Sequence, residues 1–263
     1  MYAAGLTAIG MVRDHNEDAI FSSTKPVGPL PNLFVVADGM GGHNAGEIAS
    51  SKSLVYSQDF IHNSTYPTSN EPEDILDILV TAAHQANRDV FDLSVSNPSY
   101  HGMGTTFTAC VVADEVLAIA HIGDSRIYTV GTEGIVQITR DHTFVQELVD
   151  AGNIAPHEAK IHPQRNMLTR VLGCDPSTQA EGTLHKLSGV DSILLCSDGL
   201  TDMLSDENIH TIVNQQTPPT ARAEALVAAA NKQGGIDNIS AIIIDICEVI
   251  IDSETTDKEG EDR

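Results

Sequence analysis

The chain has 263 residues, of which 14 are Lys or Arg and 37 are Asp or Glu, so its formal net charge is −23. A chain of this length can bury a core without disulfide or zinc support. So negative a surface argues against nucleic acid or an anionic membrane as a partner and fits a protein that gathers cations.

In chain order, short strands alternate with longer helical patterns. Runs rich in Val, Ile and Thr and bounded by Gly, Asp or Asn predict strands at 33–37, 105–112, 116–122, 126–130, 135–138, 192–196 and 240–247. Apolar residues at helical spacing predict helices at about 45–61, 73–95, 144–151 and 220–232. The strands between 107 and 138 are joined by links too short for helical crossovers, which predicts a meander of hairpins in a mainly antiparallel sheet.

The ends of the chain and its cysteines indicate where the protein works. The acidic segment 251–263 is predicted to be a disordered tail or linker stub that follows one domain at 1–250. No apolar run reaches the roughly 20 residues that span a bilayer, and no secretory signal is visible. The four cysteines form no Cys-x-x-Cys pair. We therefore expect a cytoplasmic protein with no membrane insertion and with buried, free thiols.

Carboxylates recur at the ends of the predicted strands. Asp38 and Asp198 each follow an apolar strand and precede Gly, Asp124 follows Gly123, and Asp237 precedes the last strand. One such Asp is typical of an ordinary turn. Four of them suggest convergence, because the strands of one sheet end at a common edge. Converging carboxylates repel unless a divalent cation binds, and a set of oxygen ligands favours Mg²⁺ or Mn²⁺ over zinc.

Two further clusters suit phosphate chemistry. Arg13 begins a run, 13–18, that contains three acids, and the planar guanidinium of Arg can bond two phosphate oxygens at once. The glycine-rich turn at 38–47 lacks a complete G-x-G-x-x-G pattern, so we interpret it as letting backbone approach a metal, with the Gly39 carbonyl as a candidate ligand. The chain has no Walker loop, no Cys followed six residues later by Arg, and no Asp-x-Asp.

Six motifs in order resemble a known family. They are Arg13-Asp-His-Asn-Glu-Asp18, Val36-Ala-Asp38-Gly-Met-Gly-Gly42, Gly102-Met-Gly-Thr-Thr106, Gly123-Asp-Ser-Arg126, Ser197-Asp198-Gly199 and Asp237-Asn238. Together they look like the metal-dependent serine/threonine protein phosphatases of the PPM, or type 2C, family in its bacterial form. The resemblance covers about residues 3–247. It implies an α+β fold for the catalytic domain at 1–250: a four-layer αββα sandwich of two mainly antiparallel sheets flanked by helix pairs.

The resemblance also implies a binuclear Mn²⁺ or Mg²⁺ site. Carried over residue by residue, Asp38 would bridge two ions, and Asp198 and Asp237 would complete the first. Asp124 matches an acid that bacterial members associate with a third, weaker ion.

The remaining positions carry over in the same way. The Gly39 carbonyl would bind the second ion, with Asp18, and Glu17 as a further candidate, holding its waters. Arg13 matches the phosphate-binding arginine. The segment 144–165 falls where bacterial members carry a flap beside the active site.

One position departs from the eukaryotic pattern. Eukaryotic members have His after the metal-binding Asp-Gly as a candidate general acid, whereas this chain, like bacterial members, has Met40. Methionine cannot donate a proton, so His43 or a metal-bound water is the expected donor.

The expected activity follows from these residues. A water bridging two metals would be acidified and would attack the phosphorus of phosphoserine or phosphothreonine in line, without a phosphoenzyme. The expected partners are phosphoproteins made by a serine/threonine kinase, and we expect a monomer that binds no nucleic acid. Two alternatives stay open at this point: a non-catalytic phosphoprotein-binding module of the same fold, and a metal-dependent phosphodiesterase.

Overall fold

The computed structural model describes residues 1–41, 45–66, 68, 71–132 and 134–246. The strands of this part of the chain are β1 (Tyr2–Ala8), β2 (Asp18–Ser23), β3 (Leu33–Met40), β4 (Gly104–Thr105), β5 (Phe107–Ala113), β6 (Val116–Ile122), β7 (Arg126–Gly131), β8 (Gly134–Gln137), β9 (Glu181–Lys186), β10 (Ser192–Cys196) and β11 (Ile239–Asp245). Its α-helices are α1 (Ala45–Asn63), α2 (Pro72–Ser96), α3 (Phe144–Asp150), α4 (Pro156–Ala159), α5 (Asp198–Thr201), α6 (Asp206–Val213) and α7 (Pro219–Lys232).

The strands form two antiparallel sheets that stack face to face. The first sheet has the order β1-β11-β10-β7-β8, and the second has the order β2-β3-β5-β6-β9 with β4 paired to β3. Helices α1 and α2 pack on the second sheet, while α6 and α7 pack on the first. The predicted α+β fold, a four-layer αββα sandwich with flanking helix pairs, is confirmed.

Each junction between layers has its own apolar core. Between the sheets, alternate side chains of both inner faces interdigitate, as period-2 strands require; Phe34, Ile119 and Leu195 are buried there. A second core joins α1 and α2 to their sheet, and a third joins α6 and α7 to theirs. The central strands are therefore apolar on both faces, which explains why they read as continuous apolar runs.

The predicted meander is wrong at one link. β5 pairs with β6 and β7 pairs with β8, but β6 and β7 do not pair; they belong to different sheets. The chain crosses between the layers at Gly123-Asp124-Ser125, where Gly123 has a φ of 105° that favours glycine. A short link of this composition is compatible with a hairpin or with a crossing from one sheet to the other. Here the link crosses, and it places Asp124 at the end of the sandwich where both sheets end.

Strands β1, β2 and β9 and helices α4, α5 and α6 were not predicted. All three strands lie at sheet edges; β9 is mostly exposed, and β1 and β2 are mostly half-buried, so their apolar pattern is weak. Cys110 and Cys196 are buried as expected, whereas Cys174 is exposed. The last strand ends at Asp245, and the predictions for Cys247 and for 251–263 lie outside the described residues. No helix in the described ranges is long and apolar enough to cross a membrane.

Candidate metal and phosphate site

The site is built at one end of the sandwich, around two acids that face each other across neighbouring strands. Asp18 on β2 is paired directly with Asp38 on β3. Like charges directly opposite each other destabilise a sheet. This pair therefore requires a proton, a hydrogen-bond donor or a cation to share the charge.

Asp18 receives its hydrogen bonds from the other sheet. One carboxylate oxygen accepts from the Ser197 hydroxyl at 2.8 Å and from the Ser240 hydroxyl at 2.7 Å. The other, Oδ1, is buried without a hydrogen-bond partner. Burial is the main cause that raises the pKa of Asp18 to about 7, although the two serine hydrogen bonds act in the opposite direction.

Asp38 is held by the motif at 102–106. The Thr106 hydroxyl accepts from the Asp38 N–H at 2.9 Å, and the Thr105 hydroxyl donates to the Asp38 carbonyl at 2.9 Å. Its carboxyl lies close to that of Asp198. Burial, followed by the charges of Asp18, Asp198 and Asp124, raises the pKa of Asp38 well above its usual value. A cation shared by these carboxyls would relieve the repulsion between them.

Asp198 brings the first sheet into the site. It begins α5 directly after β10, and burial is the main cause that raises its pKa to about 6, followed by the charges of Asp202 and Asp237. Its Oδ1 is the second buried carboxylate oxygen at the site without a partner. A Cβ on Gly199 would lie 2.0 Å from the Asn238 carbonyl oxygen, so only glycine allows this approach of the two chain segments.

Asp124 is held in place by hydrogen bonds that its two neighbours in the chain, Gly123 and Ser125, make. The Gly123 N–H donates to Nδ1 of His142 at 3.1 Å, and the His142 N–H donates to the Gly123 carbonyl at 2.8 Å. On the other side, the Ser125 hydroxyl lies 2.7 Å from that of Thr106. Burial is the main cause that raises the pKa of Asp124 well above its usual value, with the charge of Asp198 next.

Arg13 and Asp237 lie at the rim of the site. The Arg13 guanidinium donates to the Asp237 carboxylate at 2.6 Å, and both side chains are partly exposed. The other oxygen of Asp237 accepts from the Asn238 N–H at 2.8 Å. Arg13 therefore lies beside a candidate metal ligand.

Glu17 and Gly39 are brought together by close backbone packing. The Gly39 N–H donates to the Glu17 carbonyl at 3.1 Å, and a Cβ on Gly39 would lie 2.2 Å from the Gly46 carbonyl oxygen. Burial is the main cause that raises the pKa of Glu17. The glycines of this turn thus allow the start of α1 to approach β3 and Glu17, whereas the predicted approach of the Gly39 carbonyl to a metal stays a prediction.

The predicted acids come from both sheets, not from the edge of one. Asp18 and Asp38 belong to the second sheet, Asp198 and Asp237 adjoin strands of the first, and Asp124 lies in the link that crosses between the two. The expectation of a single sheet edge was wrong because the two layers end at the same end of the sandwich. His43 lies outside the described residues, so its place relative to these acids is not part of the geometry.

The donor chemistry of the site fits divalent cations. Two buried carboxylate oxygens, on Asp18 and Asp198, have no partner, and such groups are costly unless a ligand satisfies them. Within the described ranges, however, no three His, Cys, Asp or Glu side chains are arranged as a complete metal-binding group. The unpartnered oxygens and the crowding of Asp38 by Asp18, Asp198 and Asp124 favour a cation, because both leave negative charge without a partner. Side chains would have to turn toward a common centre on binding.

A cavity of about 650 Å³ joins these acids to the predicted flap. Asp124 and Asp198 line one side, and Val145, Lys160 and Arg165 of the segment 144–165 line the other. The base of the segment is fixed by Asp141, which accepts two-pronged hydrogen bonds from Arg126 at 3.0 and 2.7 Å. The flap therefore lies beside the acids, as expected, and its side chains line part of the cavity.

Two supporting features were missed by sequence reasoning. Asn238 accepts from the Glu17 N–H at 2.9 Å and donates to the carbonyls of Ile9 and His15, both at 2.9 Å. It thus ties the 13–18 segment to the first sheet, and its place in a motif beside Asp237 was the available signal. The buried pair His121 and His142, with ring centroids 4.7 Å apart, gave no signal because the two residues are distant in sequence.

Comparison with known proteins agrees with this geometry. Residues 12–232 match the model of the family described as protein phosphatase 2C. The chain belongs to this family. It is 37% identical over 248 residues to the protein phosphatase PhpP of Streptococcus pneumoniae, a match that covers 92% of this chain and 96% of that protein. This type 2C phosphatase is therefore a bacterial-type protein-serine/threonine phosphatase, and phosphoproteins are its substrate class.

Solved structures share the fold. The crystal structure of the serine/threonine phosphatase Stp1 of Staphylococcus aureus matches with a TM-score of 0.85 at 33% identity, covering 94% of this chain and 95% of that one. The catalytic domain of the phosphatase PstP, in complex with two manganese ions, matches with a TM-score of 0.78 at 34% identity, covering 92% of this chain and 96% of that one.

Proposed function

We propose that this type 2C phosphatase hydrolyses phosphoserine and phosphothreonine in proteins with two divalent cations, Mn²⁺ or Mg²⁺, and without a phosphoenzyme. The observation that carries the proposal is the set of buried acids around Asp38, with unpartnered oxygens on Asp18 and Asp198. The family's link to manganese supports it, since the related PstP domain binds two manganese ions.

The chain's own residues would hold the cations as follows. Asp38 would be shared by both ions, with Asp198 and Asp237 on one side. The Gly39 carbonyl would lie on the other, supported by Asp18 and Glu17. Asp124 would take part in a third, weaker site. When bound, the cations would acidify a water molecule and neutralise charge on the phosphoryl group.

Arg13 would bind and orient the phosphate. Its guanidinium lies at the rim with half of its side chain exposed and is already oriented by Asp237 at 2.6 Å. A planar guanidinium can bond two equatorial oxygens at once. His43 is proposed to donate a proton to the leaving oxygen, because it follows Asp38 by five residues in the same glycine-rich segment of the sequence.

Water is the proposed nucleophile, since burial raises the pKa of each of the three described cysteines, including the exposed Cys174. Burial raises the pKa of Cys110 far above its usual value and raises the pKa of Cys196 to about 12, so neither is a thiolate near neutral pH. The free thiols fit a reducing compartment. We propose that the protein acts in the cytoplasm, as a monomer, on proteins modified by a serine/threonine kinase.

Hydrolysis with and without Mn²⁺ tests this proposal. A phosphothreonine peptide and p-nitrophenyl phosphate should be hydrolysed with Mn²⁺ and not with EDTA, and bis-p-nitrophenyl phosphate should be spared. Hydrolysis of the bis ester would favour a phosphodiesterase, and binding of the peptide without hydrolysis would favour a non-catalytic module.

The Asp38→Ala variant separates the site from the fold. It should lose hydrolysis and Mn²⁺ binding together in calorimetry, because the shared ligand is gone. Asp59→Ala, which removes an exposed acid from α1, is the matched control and should keep both. Two undisturbed Mn²⁺ sites in Asp38→Ala would sink the assignment.

A further inference from the structure

Exposed apolar side chains flank the proposed phosphate-binding arginine. Met11 is 68% exposed and Val12 is 65% exposed, and both directly precede Arg13. Ile236, 46% exposed, directly precedes Asp237. Isolated exposed apolar residues are ordinary. Three of them beside one ion pair, at the rim of a polar site, are unusual, because exposing grouped apolar surface to water is unfavourable.

The two loops that carry these residues are fixed to each other. The Met11 N–H donates to the Gly235 carbonyl at 2.7 Å, and Arg13 pairs with Asp237 at 2.6 Å. A Cβ on Gly235 would lie 2.9 Å from Cγ of Met11, so the Met11 side chain lies against the backbone beside Ile236. The apolar side chains are therefore held by the backbone in one place.

The apolar residues are continuous with the acids of the site. Ile236 also lines the cavity of about 650 Å³ that Asp124 and Asp198 line. Consecutive residues of a peptide are about 3.8 Å apart. When the phosphate of a substrate peptide is bound at Arg13, the side chain next to the phosphorylated residue would therefore lie over Met11, Val12 or Ile236. The net charge of −23 repels acidic peptides, whereas apolar contact attracts a substrate independently of charge.

We propose that Met11, Val12 and Ile236 form an apolar shelf that binds an apolar side chain of the phosphoprotein substrate, within two residues of the phosphorylated Ser or Thr. The proposal rests on the proposed function, because it places the phosphate at Arg13. The shelf would make this phosphatase prefer phosphosites with a neighbouring Leu, Ile, Met or Val over sites with polar neighbours.

Three phosphothreonine peptides test the shelf, with Leu before the phosphothreonine, Leu after it, or Ser at both places. Partial burial of one Leu side chain should raise kcat/KM by about three- to tenfold for at least one Leu peptide over the Ser peptide. The Met11→Ser/Val12→Ser variant should bring this ratio close to one. Val136→Ser is the matched control, since Val136 on β8 is 60% exposed and lines neither the shelf nor the cavity; it should keep the ratio.

The outcomes separate the shelf from the proposed function. Wild-type hydrolysis of all three peptides at equal rates, or a preference that survives in the double variant, would overturn the shelf and leave the phosphatase proposal standing. Failure of Mn²⁺ to support hydrolysis of any peptide would overturn both. Light scattering tests whether a second copy of the chain covers the shelf instead. If wild type is a dimer, the double variant is a monomer and the peptide preference is the same in both, the shelf is a self-interface and the proposal is overturned. If the double variant is unfolded by circular dichroism, Val12→Ser alone must lower the ratio.

Discussion

His121 offers a test of the buried network behind Asp124. Its Nε2 lies 3.1 Å from the Arg140 carbonyl, so Nε2 carries the proton, and Nδ1 accepts from the Thr108 hydroxyl at 2.9 Å. Burial is the main cause that lowers its pKa from 6.5 to about 3, and the neighbouring His142 acts in the same direction. We expect this neutral ring to make the free energy of unfolding depend on pH.

The sign and size follow from linkage. Below pH 6.5 the unfolded chain binds a proton at His121 and the folded chain does not, so this contribution to stability is full above 6.5 and is lost as pH falls toward 3. Between pH 6.5 and pH 5 the free energy of unfolding falls by about 1.36 kcal/mol per pH unit, so the loss at pH 5 is about 2 kcal/mol. Any folded pKa below about 4 gives nearly the same value at pH 5. The raised pKa values of Asp18 and Asp198 act in the opposite direction, so the measurement must be a difference between two proteins.

The assay compares wild type with His121→Gln in urea at pH 7.5 and pH 5, with EDTA present. The stability advantage of wild type should shrink by about 2 kcal/mol at pH 5, because both proteins share every other group. His101→Gln, at an exposed position, is the matched control and should leave the pH dependence as in wild type. An advantage that is unchanged or larger at pH 5 would show that His121 ionises in the folded protein, and the assignment of its hydrogen bonds would fall.

Three further results are expected. Arg13→Ala should raise KM for a phosphopeptide about tenfold with kcat little changed, since it removes a charge-assisted contact; an unchanged KM with a collapsed kcat would contradict this role. His43→Ala should slow phenyl phosphate far more than p-nitrophenyl phosphate in steady-state assays, because the more basic leaving oxygen needs the proton; equal losses would exclude it as the donor. Arg222→Met should lower the free energy of unfolding in urea by about 3–5 kcal/mol, because it leaves the buried Asp245 carboxylate unpaired, and adding Asp245→Leu should restore most of it. A double variant as unstable as the single one would refute that reasoning.

The sequence predicted the architecture well where strands are central. Runs such as 116–122 and 192–196 match the observed strands because burial on both faces makes them short, continuous apolar runs bounded by turn residues. Edge strands β1 and β9 were missed because β1 is mostly small residues and β9 is mostly exposed and polar, so neither shows a clear apolar pattern. The crossing at Gly123 was read as a hairpin, since local composition does not say which sheet the next strand joins.

For the site, the sequence supplied the acids but not their partners. Asp38, Asp198 and Asp124 were identified by their strand-end positions, and the structure brings them within reach of one another. The hydroxyls that hold them could not be predicted. Ser197 and Ser240 meet Asp18 from the opposite sheet, 179 and 222 residues away in the chain. Such contacts depend on how the layers stack, which periodicity does not encode.

The junction of the sheets explains why the site can be both buried and acidic. Asp18 belongs to one sheet, yet its hydrogen bonds come from two serines of the other, so one carboxylate ties the layers together. The same carboxylate lies directly across from Asp38, which opposes folding whenever both are ionised. Burial is the main cause that raises the pKa values of Asp18, Asp38 and Asp198, and the charges of neighbouring acids add to it. Ionised together, these acids oppose the fold, so their joint presence is explained by the chemistry of the site rather than by stability.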